Sequence, residues 1–312
     1  MNREIQMIVV AGPTATGKTA LGIAIARALG GEIVSADSMQ IYRRMDIGTA
    51  KATPEEQAQA VHHMIDVAEP WENYSVSRYV DEASRVCDGL IARGKLPILV
   101  GGTGLYIDSL LSGRDFAGRQ EENAGLREQL SADYDRLGGE AMLRRLAAFD
   151  PERAEKLHPA DRRRIVRAIE IYELTGKTIT QHDRETQALP PRYRAMKLCL
   201  SFRDRERLYA RIDRRVDRMA ETGLFEEVEA LLREGLSPDC TAMQAIGYKE
   251  AAQALRGEIS RGQALDLIKQ NSRRYAKRQL TWFKRNGSAR WFLWDQEPDI
   301  AGALEKTVNA EA

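Results

Sequence analysis

The chain has 312 residues, enough for one large domain or two ordinary ones with a buried core. Hydrophobic residues make up 43% and charged residues 30%, and 47 basic against 46 acidic side chains leave a net charge of +1. That balance excludes a generic polyanion binder, and no apolar run approaches the ~20 residues of a membrane span. The three scattered cysteines, Cys87, Cys199 and Cys240, do not make a disulfide framework, and with the four histidines they show no metal-ligand spacing.

The opening "MNREIQMIVV" is a charged start followed by a short strand at 7–10, not a signal peptide, so a reducing, cytosolic location is expected. A glycine-rich turn follows, and from Lys18 a helix is predicted with Leu21, Ala24, Ile25, Ala28 and Leu29 on one face, ending at Gly30 and Gly31. Residues 32–35 read as a second strand that stops near Asp37, 75–91 as an amphipathic helix, and 96–100 as a third strand stopped by "GGTG". Short apolar strands separated by helices imply an α/β fold with a parallel, doubly wound sheet, in which ligands sit beyond the carboxyl ends of the strands. Three loops satisfy that rule: 12–19, the one at Asp37, and 101–104.

From about Arg114 to Pro190-Pro191 the pattern is helical with no convincing strand, and 195–201 reads as a strand returning to the sheet. Residues 1–113 and 195–312 are therefore expected to form the core, and 114–194 a helical insertion. Residues 204–235 read as one or two amphipathic helices with Leu208, Ile212, Val216 and Met219 on one face and Gly235 as a stop. Trp291 and Trp294 flank an apolar, strand-like run and are expected to pack, and the last dozen residues read as a surface helix or a frayed tail.

The first loop has the pattern Gly-x-x-x-x-Gly-Lys-Thr, with Gly12, Pro13, Thr14, Ala15, Thr16, Gly17, Lys18 and Thr19. Glycines let successive backbone N–H groups point inward at an anion, and the following helix adds its positive end. Lys18 supplies a point charge to phosphate oxygens, and the Thr19 hydroxyl suits a Mg²⁺ ligand. The motif specifies a di- or triphosphate with a metal and does not by itself identify a nucleoside triphosphate. A nucleotide-hydrolysing or kinase site also calls for an apolar strand ending in Asp, and 96–100 ends in Gly101-Gly102 instead. Asp37 is the nearby carboxylate at a strand end, and spacing leaves it equally a metal-shell residue, a helix N-cap or a general base.

Two segments concentrate positive charge. In "DRRRIVRAIEIYELTGK" (161–177), Arg163, Arg164 and Arg167 make a stripe opposite Ile165, Ala168, Ile169 and Tyr172, a pattern equally suited to a solvated helix face. Residues 271–290 carry Arg273, Arg274, Lys277, Arg278, Lys284, Arg285 and Arg290 without an acidic residue, interleaved with Tyr275, Trp282 and Phe283. Cations grip a phosphate backbone and flat rings stack on unpaired bases, so this stretch points to a nucleic acid.

Together these segments resemble the bacterial tRNA dimethylallyltransferase (tRNA isopentenyl transferase) family. The resemblance rests on "GPTATGKT" (12–19), "SADSMQIYRRMDIGTAK" (35–51), "LVGGTGLY" (99–106), "HPADRRRIVRAIEIYELTGK" (158–177), "MQAIGYKE" (243–250) and "AKRQLTWFKR" (276–285), in the family's order. The family's usual HPND appears as His158-Pro159-Ala160-Asp161, and there is no Cys/His finger after residue 290, as in the shorter bacterial form.

The resemblance implies a P-loop NTPase-like core. It also implies transfer of a dimethylallyl group from dimethylallyl diphosphate, with Mg²⁺, to N6 of the adenine 3′ of the anticodon in tRNAs that read codons beginning with U. It makes Asp37 the base, places Thr103 near the reacting groups, and brings Arg215 with Lys18 to the pyrophosphate. It assigns tRNA contacts to Asp37, Ser38, Met39, Gln40, Arg163, Arg164, Arg167, Gln244, Lys249, Lys277, Arg278, Gln279, Trp282 and Lys284. The insertion is then expected to clasp the anticodon stem of tRNA, and the protein to act as a monomer. The competing readings are a small-molecule kinase with the insertion as a lid, and a nucleotide-switched RNA-binding protein.

Overall fold

The computed structural model of the chain describes residues 5–113, 124–285 and 287–311. The chain divides into two compact units, one built from residues up to Leu111 and from Tyr193 onward, the other spanning Ser112–Arg192.

In the first unit six strands form one sheet: β1 (Met7–Ala11), β2 (Glu32–Ser35), β3 (His62–His63), β4 (Pro97–Gly101), β5 (Ala195–Phe202) and β6 (Arg290–Trp294). Their order is β3-β2-β4-β1-β5-β6 and every pairing is parallel. All five residues of β1 and of β4 are buried, which is why these strands read as unbroken apolar runs and not as alternating ones. The two-residue β3 carries no apolar pattern, so the sequence gives no sign of it.

Helices α1 (Lys18–Leu29), α2 (Pro54–Gln57), α3 (Val76–Ala92) and α4 (Gly104–Ser112) connect or follow the first four strands. Ser75 starts α3 by accepting a hydrogen bond from the Arg78 amide at 3.1 Å. The second unit holds α5 (Ala124–Leu137), α6 (Gly139–Ala147), α7 (Pro151–Glu155), α8 (Arg162–Thr175) and α9 (Ile179–Gln187), with no strand among its described residues. Leu130, Met142, Leu146, Ile165 and Ile169 lie in its own core. The buried Asp150 caps α7 and accepts the Thr180 hydroxyl at 2.6 Å, which ties in α9. Residues 114–123 of the expected insertion lie outside the described residues.

The chain returns through β5 to α10 (Arg205–Glu221), α11 (Leu224–Arg233), a short 3-10 turn at Ala242–Gln244, α12 (Tyr248–Leu255), the 24-residue α13 (Arg261–Lys284), β6 and α14 (Ile300–Glu311). Two helices thus occupy 204–235. The end of the chain is not a frayed tail: α14 packs on α1 and buries Ala303 and Thr307. Phe292 and Trp294 of β6 enter the main core with Ile8, Val10, Leu198 and Leu200, whereas Trp291 is only part-buried. No helix among the described residues is long and apolar enough to cross a membrane.

The turns after β1, β2 and β4 lie together at the carboxyl end of the sheet, where they crowd each other. A Cβ on Gly101 would stand 2.1 Å from the Ala36 carbonyl oxygen. Ala36 cannot retreat, because its amide donates to the Val100 carbonyl at 2.8 Å and its own carbonyl accepts from the Thr103 amide at 3.1 Å. Gly101→Ala is therefore expected to cost about 3 kcal/mol, read as a lowered urea midpoint at unchanged m-value.

Candidate active site

The phosphate-loop pattern occupies the turn between β1 and α1. Gly12 has φ +142°, and a Cβ there would meet the Leu200 carbonyl oxygen of β5 at 2.4 Å, so only glycine fits beside the neighbouring strand. Ala15 sits in the left-handed region at φ 64°, a strained conformation for a residue with a side chain. Distant residues hold it there. The Arg211 Nε donates to the Ala15 carbonyl at 3.1 Å, the Trp294 Nε1 donates to the Thr16 carbonyl at 3.0 Å, and the Thr14 amide donates to Gln279 Oε1 at 3.2 Å. The other end of Gln279 donates to the Gly102 carbonyl at 2.9 Å. Gln279 thus links the first and third loops. It is only 5% exposed, unlike the surface cations around it on α13.

A cavity of about 320 Å³ opens beside this loop. Thr14, Lys18, Thr19, Asp37, Arg215 and Tyr275 are among its lining residues. The Lys18 ammonium donates to the Pro13 carbonyl at 2.7 Å. Burial, then the neighbouring Arg215 guanidinium, push Lys18 down to about 7, and the Asp37 carboxylate offsets part of this. Arg215 is lowered by the same burial and likewise supported by Asp37. Lys18 and Arg215 are half-buried, so the site sets two poorly solvated basic groups against one carboxylate, an imbalance that an incoming polyanion corrects.

Asp37 closes the turn after β2: its Oδ1 accepts the Met39 amide at 2.9 Å and the Gln40 amide at 3.4 Å. Of the roles its position allows, the capping one is visible here, though on a turn and not on a helix. Its Oδ2 makes no hydrogen bond among the described residues, which leaves an acceptor in the cavity. Thr103, on the loop after β4, accepts the Ser38 amide at 3.1 Å through Oγ1 and so locks the Asp37 turn to the third loop. Tyr275, which lines the same space, is raised to about 12 by burial and by Asp37.

One wall consists of backbone. Gly48, Thr49 and Ala50 line the cavity, and the Thr49 carbonyl accepts from Arg215 at 3.3 Å and from Gln40 at 3.3 Å. Gln40 also donates to the Ala50 carbonyl at 3.1 Å, so its amide braces this wall. Behind it, Glu227 of α11 accepts the amides of Asp46, Ile47 and Gly48 at 2.9, 2.8 and 3.2 Å. Ordinary sequence patterns give no hint of Thr49 or Glu227, since each acts through a partner far along the chain, whereas Tyr275, one of the aromatics among the basic residues, lines the cavity. The opposite wall is apolar: Ile212, Val216 and Met219 from α10 and Ile268 from α13.

Thr19 lines the cavity with Lys18 and Asp37, and no cluster of three His, Cys, Asp or Glu side chains exists among the described residues. A single hydroxyl beside one carboxylate suits Mg²⁺, which binds through few protein oxygens and completes its shell with phosphate and water.

The remaining basic residues divide by surroundings. Lys277, Arg278 and Lys284 of α13 are exposed and form no ion pair among the described residues, whereas Arg273 and Lys269 are tied to Asp213 and Asp217, both at 2.5 Å. Trp282, 36% exposed, donates to Asp108 Oδ2 at 2.7 Å. Gln244 and Lys249 are exposed, Gln244 at the cavity. In the second unit Arg163 and Arg164 are exposed, but Arg167 pairs at 2.8 Å with the fully buried Glu170, which Arg127 also holds at 3.0 Å. The stripe on α8 is therefore narrower than three free arginines, because the partner that holds Arg167 is a carboxylate hidden one turn on.

The profile of the family described as IPP transferase matches residues 40–286, and that described as isopentenyl transferase matches residues 5–66. The chain is 46% identical over 295 residues to the tRNA dimethylallyltransferase of Thermoanaerobacter sp. (strain X514), covering 93% of this chain and 92% of that one. It is 47% identical over 286 residues to that of Halothermothrix orenii, covering 92% and 87%. Its structure resembles the full-length tRNA isopentenylpyrophosphate transferase of Bacillus halodurans, with TM-score 0.70, 39% identity and 99% of both chains covered. It also resembles a eukaryotic dimethylallyltransferase captured in crystals acting on tRNA, with TM-score 0.81, 27% identity, and 99% of this chain and 78% of that one covered.

Because Lys18 is depressed in the folded protein, it lowers stability wherever the unfolded chain would carry its proton. The cost is complete below about pH 7 and shrinks as the pH rises toward the ordinary lysine range. Lys18→Met is expected to raise the urea midpoint at pH 7, to lose that advantage by pH 10, and to abolish pyrophosphate binding by calorimetry.

Proposed function

The chain belongs to the tRNA dimethylallyltransferase family, and on that premise we propose how its site carries out the transfer. It is a prenyl transferase with a P-loop NTPase-like core, and it acts on tRNA. A kinase reading is not favoured, and β4 runs into Gly101-Gly102 with no carboxylate at its end.

The donor is dimethylallyl diphosphate. Its diphosphate lies in the 12–19 loop, against the backbone N–H groups, the start of α1, Lys18 and Arg215. The observation that carries this is the pair of half-buried basic groups, Lys18 and Arg215, sharing one cavity with a single carboxylate beside the glycine-rich turn. As the allylic C1–O bond breaks, its electron pair leaves on the diphosphate, and fixed positive groups stabilise that growing charge without reorganising. Mg²⁺ held by Thr19 and the diphosphate would neutralise further negative charge on the leaving group.

The acceptor is the N6 amine of the adenine 3′ of the anticodon, in tRNAs that read codons beginning with U. This amine is a weak nucleophile because its lone pair is delocalised into the ring. The N6–C1 bond forms as Asp37 Oδ2 takes the N6 proton, and pyrophosphate departs. The Oδ1 bonds to Met39 and Gln40 hold the carboxylate in place, and Thr103 fixes the turn that carries it. The adenine must leave the anticodon-loop stack to reach the cavity. Ser38, Met39, Gln40 and Gln244 line its surroundings.

Arg278 at the cavity's edge, with Lys277, Lys284 and Lys249 beyond it, suits the phosphates of the anticodon stem-loop, and Trp282 offers a ring edge. Arg163 and Arg164 give the helical unit its own phosphate contacts, with Arg167 contributing less because of Glu170. A monomer suffices for this arrangement, since one chain supplies every group named.

The test is incubation with dimethylallyl diphosphate, Mg²⁺ and unmodified tRNA, followed by nucleoside mass analysis. Modified adenosine is expected only when all three are present. Asp37→Asn keeps the Oδ1 acceptor that closes the turn, so tRNA affinity should stay and the single-turnover rate should fall by ~10²–10⁴-fold. Arg278→Ala should weaken tRNA binding and reduce the slope of log K against log salt by about one.

A further inference from the structure

The transferred chain has to stop somewhere, and the register of two helices fixes where. The Asp217–Lys269 and Asp213–Arg273 ion pairs, each at 2.5 Å, set α10 and α13 antiparallel with a single register. On that register Ile212 stands level with Tyr275, Arg215 with Ser272, and Met219 with Ile268. All six line the cavity. The rungs are ordered relative to the phosphate loop: Arg211 bonds the Ala15 carbonyl of that loop, and Arg215 neighbours Lys18. Met219 lies four residues beyond Arg215, about 6 Å further along α10. A five-carbon chain has about that reach.

The Met219–Ile268 rung is closed. Met219 is 9% exposed and Ile268 1%, so neither stands at an open mouth. Behind them the 242–248 segment adds Ala245 and Ile246 to the same lining, and Ala245 is itself buried.

We propose that Met219 and Ile268 form the floor of the prenyl pocket and limit the transferred group to five carbons. This rests on the diphosphate lying in the 12–19 loop and on the function proposed above. The chemistry is unchanged for a longer donor: the C1–O bond of an allylic diphosphate breaks with its electron pair going to diphosphate, the N6–C1 bond forms, and the N6 proton passes to Asp37. What changes is that five extra carbons would have to pass through Met219 and Ile268.

The experiment compares tRNA-dependent transfer from dimethylallyl and geranyl diphosphates by wild-type, Met219→Ala, Ile268→Val and Met219→Phe proteins. The wild type is expected to prefer the five-carbon donor strongly. Met219→Ala, and more weakly the milder Ile268→Val, should raise the geranyl-to-dimethylallyl ratio of kcat/KM by about tenfold or more. Met219→Phe should raise KM for dimethylallyl diphosphate while leaving pyrophosphate affinity in place. A wild type that uses both donors equally overturns the proposal. So does either enlarging variant that still transfers dimethylallyl groups at an unchanged donor ratio. If the wild type transfers no dimethylallyl group to tRNA at all, the failure belongs to the function and not to the pocket floor.

Discussion

The unequal charge of Lys18, Arg215 and Asp37 governs the rest of the site. Two half-buried basic groups repel one another, and the single carboxylate that supports both does not balance the pair. A fold that pursued stability alone would replace one of them with an apolar residue. Keeping both makes sense in a protein that spends part of its cycle around a polyanion. The same geometry gives the carboxylate its proposed second use, because its Oδ2 is left facing the cavity that the two basic groups also line.

Such an arrangement has to be held rigidly, and the braces come from far away in the chain. Gln279 spans two loops, Trp294 holds the Thr16 carbonyl, Arg211 holds the strained Ala15, and Glu227 gathers three amides of the opposite wall. None of these touches the proposed reacting atoms. Their effect is to fix carbonyls and amides to within a hydrogen-bond length, the precision that charge stabilisation in a transition state requires.

This division also explains what could be read in the sequence. The parallel sheet, the phosphate loop and Asp37 were legible because each is a local pattern: an apolar run, a glycine spacing, a carboxylate at a strand end. Features that depend on a distant partner were not. Arg167 reads like Arg163 until the buried Glu170 and Arg127 are seen together. Gln279 reads as one more polar residue among surface cations, yet its amide is buried between backbone groups more than 170 residues away. The last residues read as a surface helix or a frayed tail, and only the fold shows that they form a helix packed on α1. The level of Met219 opposite Ile268 follows from two ion pairs that no helical periodicity within α10 or α13 encodes.

The braces of the phosphate loop have a consequence in time. The loop is made among the first twenty residues, while Gln279 and Trp294 follow 265 and 278 positions later than the groups they hold. At translation speeds of ~5–20 residues per second, roughly ten to fifty seconds separate the birth of the loop from the arrival of its supports. Arg211 reaches the Ala15 carbonyl 196 positions on, but until Gln279 and Trp294 are made the nascent loop lacks the bonds to Thr14 and Thr16. On the proposed function, the diphosphate of the donor meets a braced loop only once those late residues have been made.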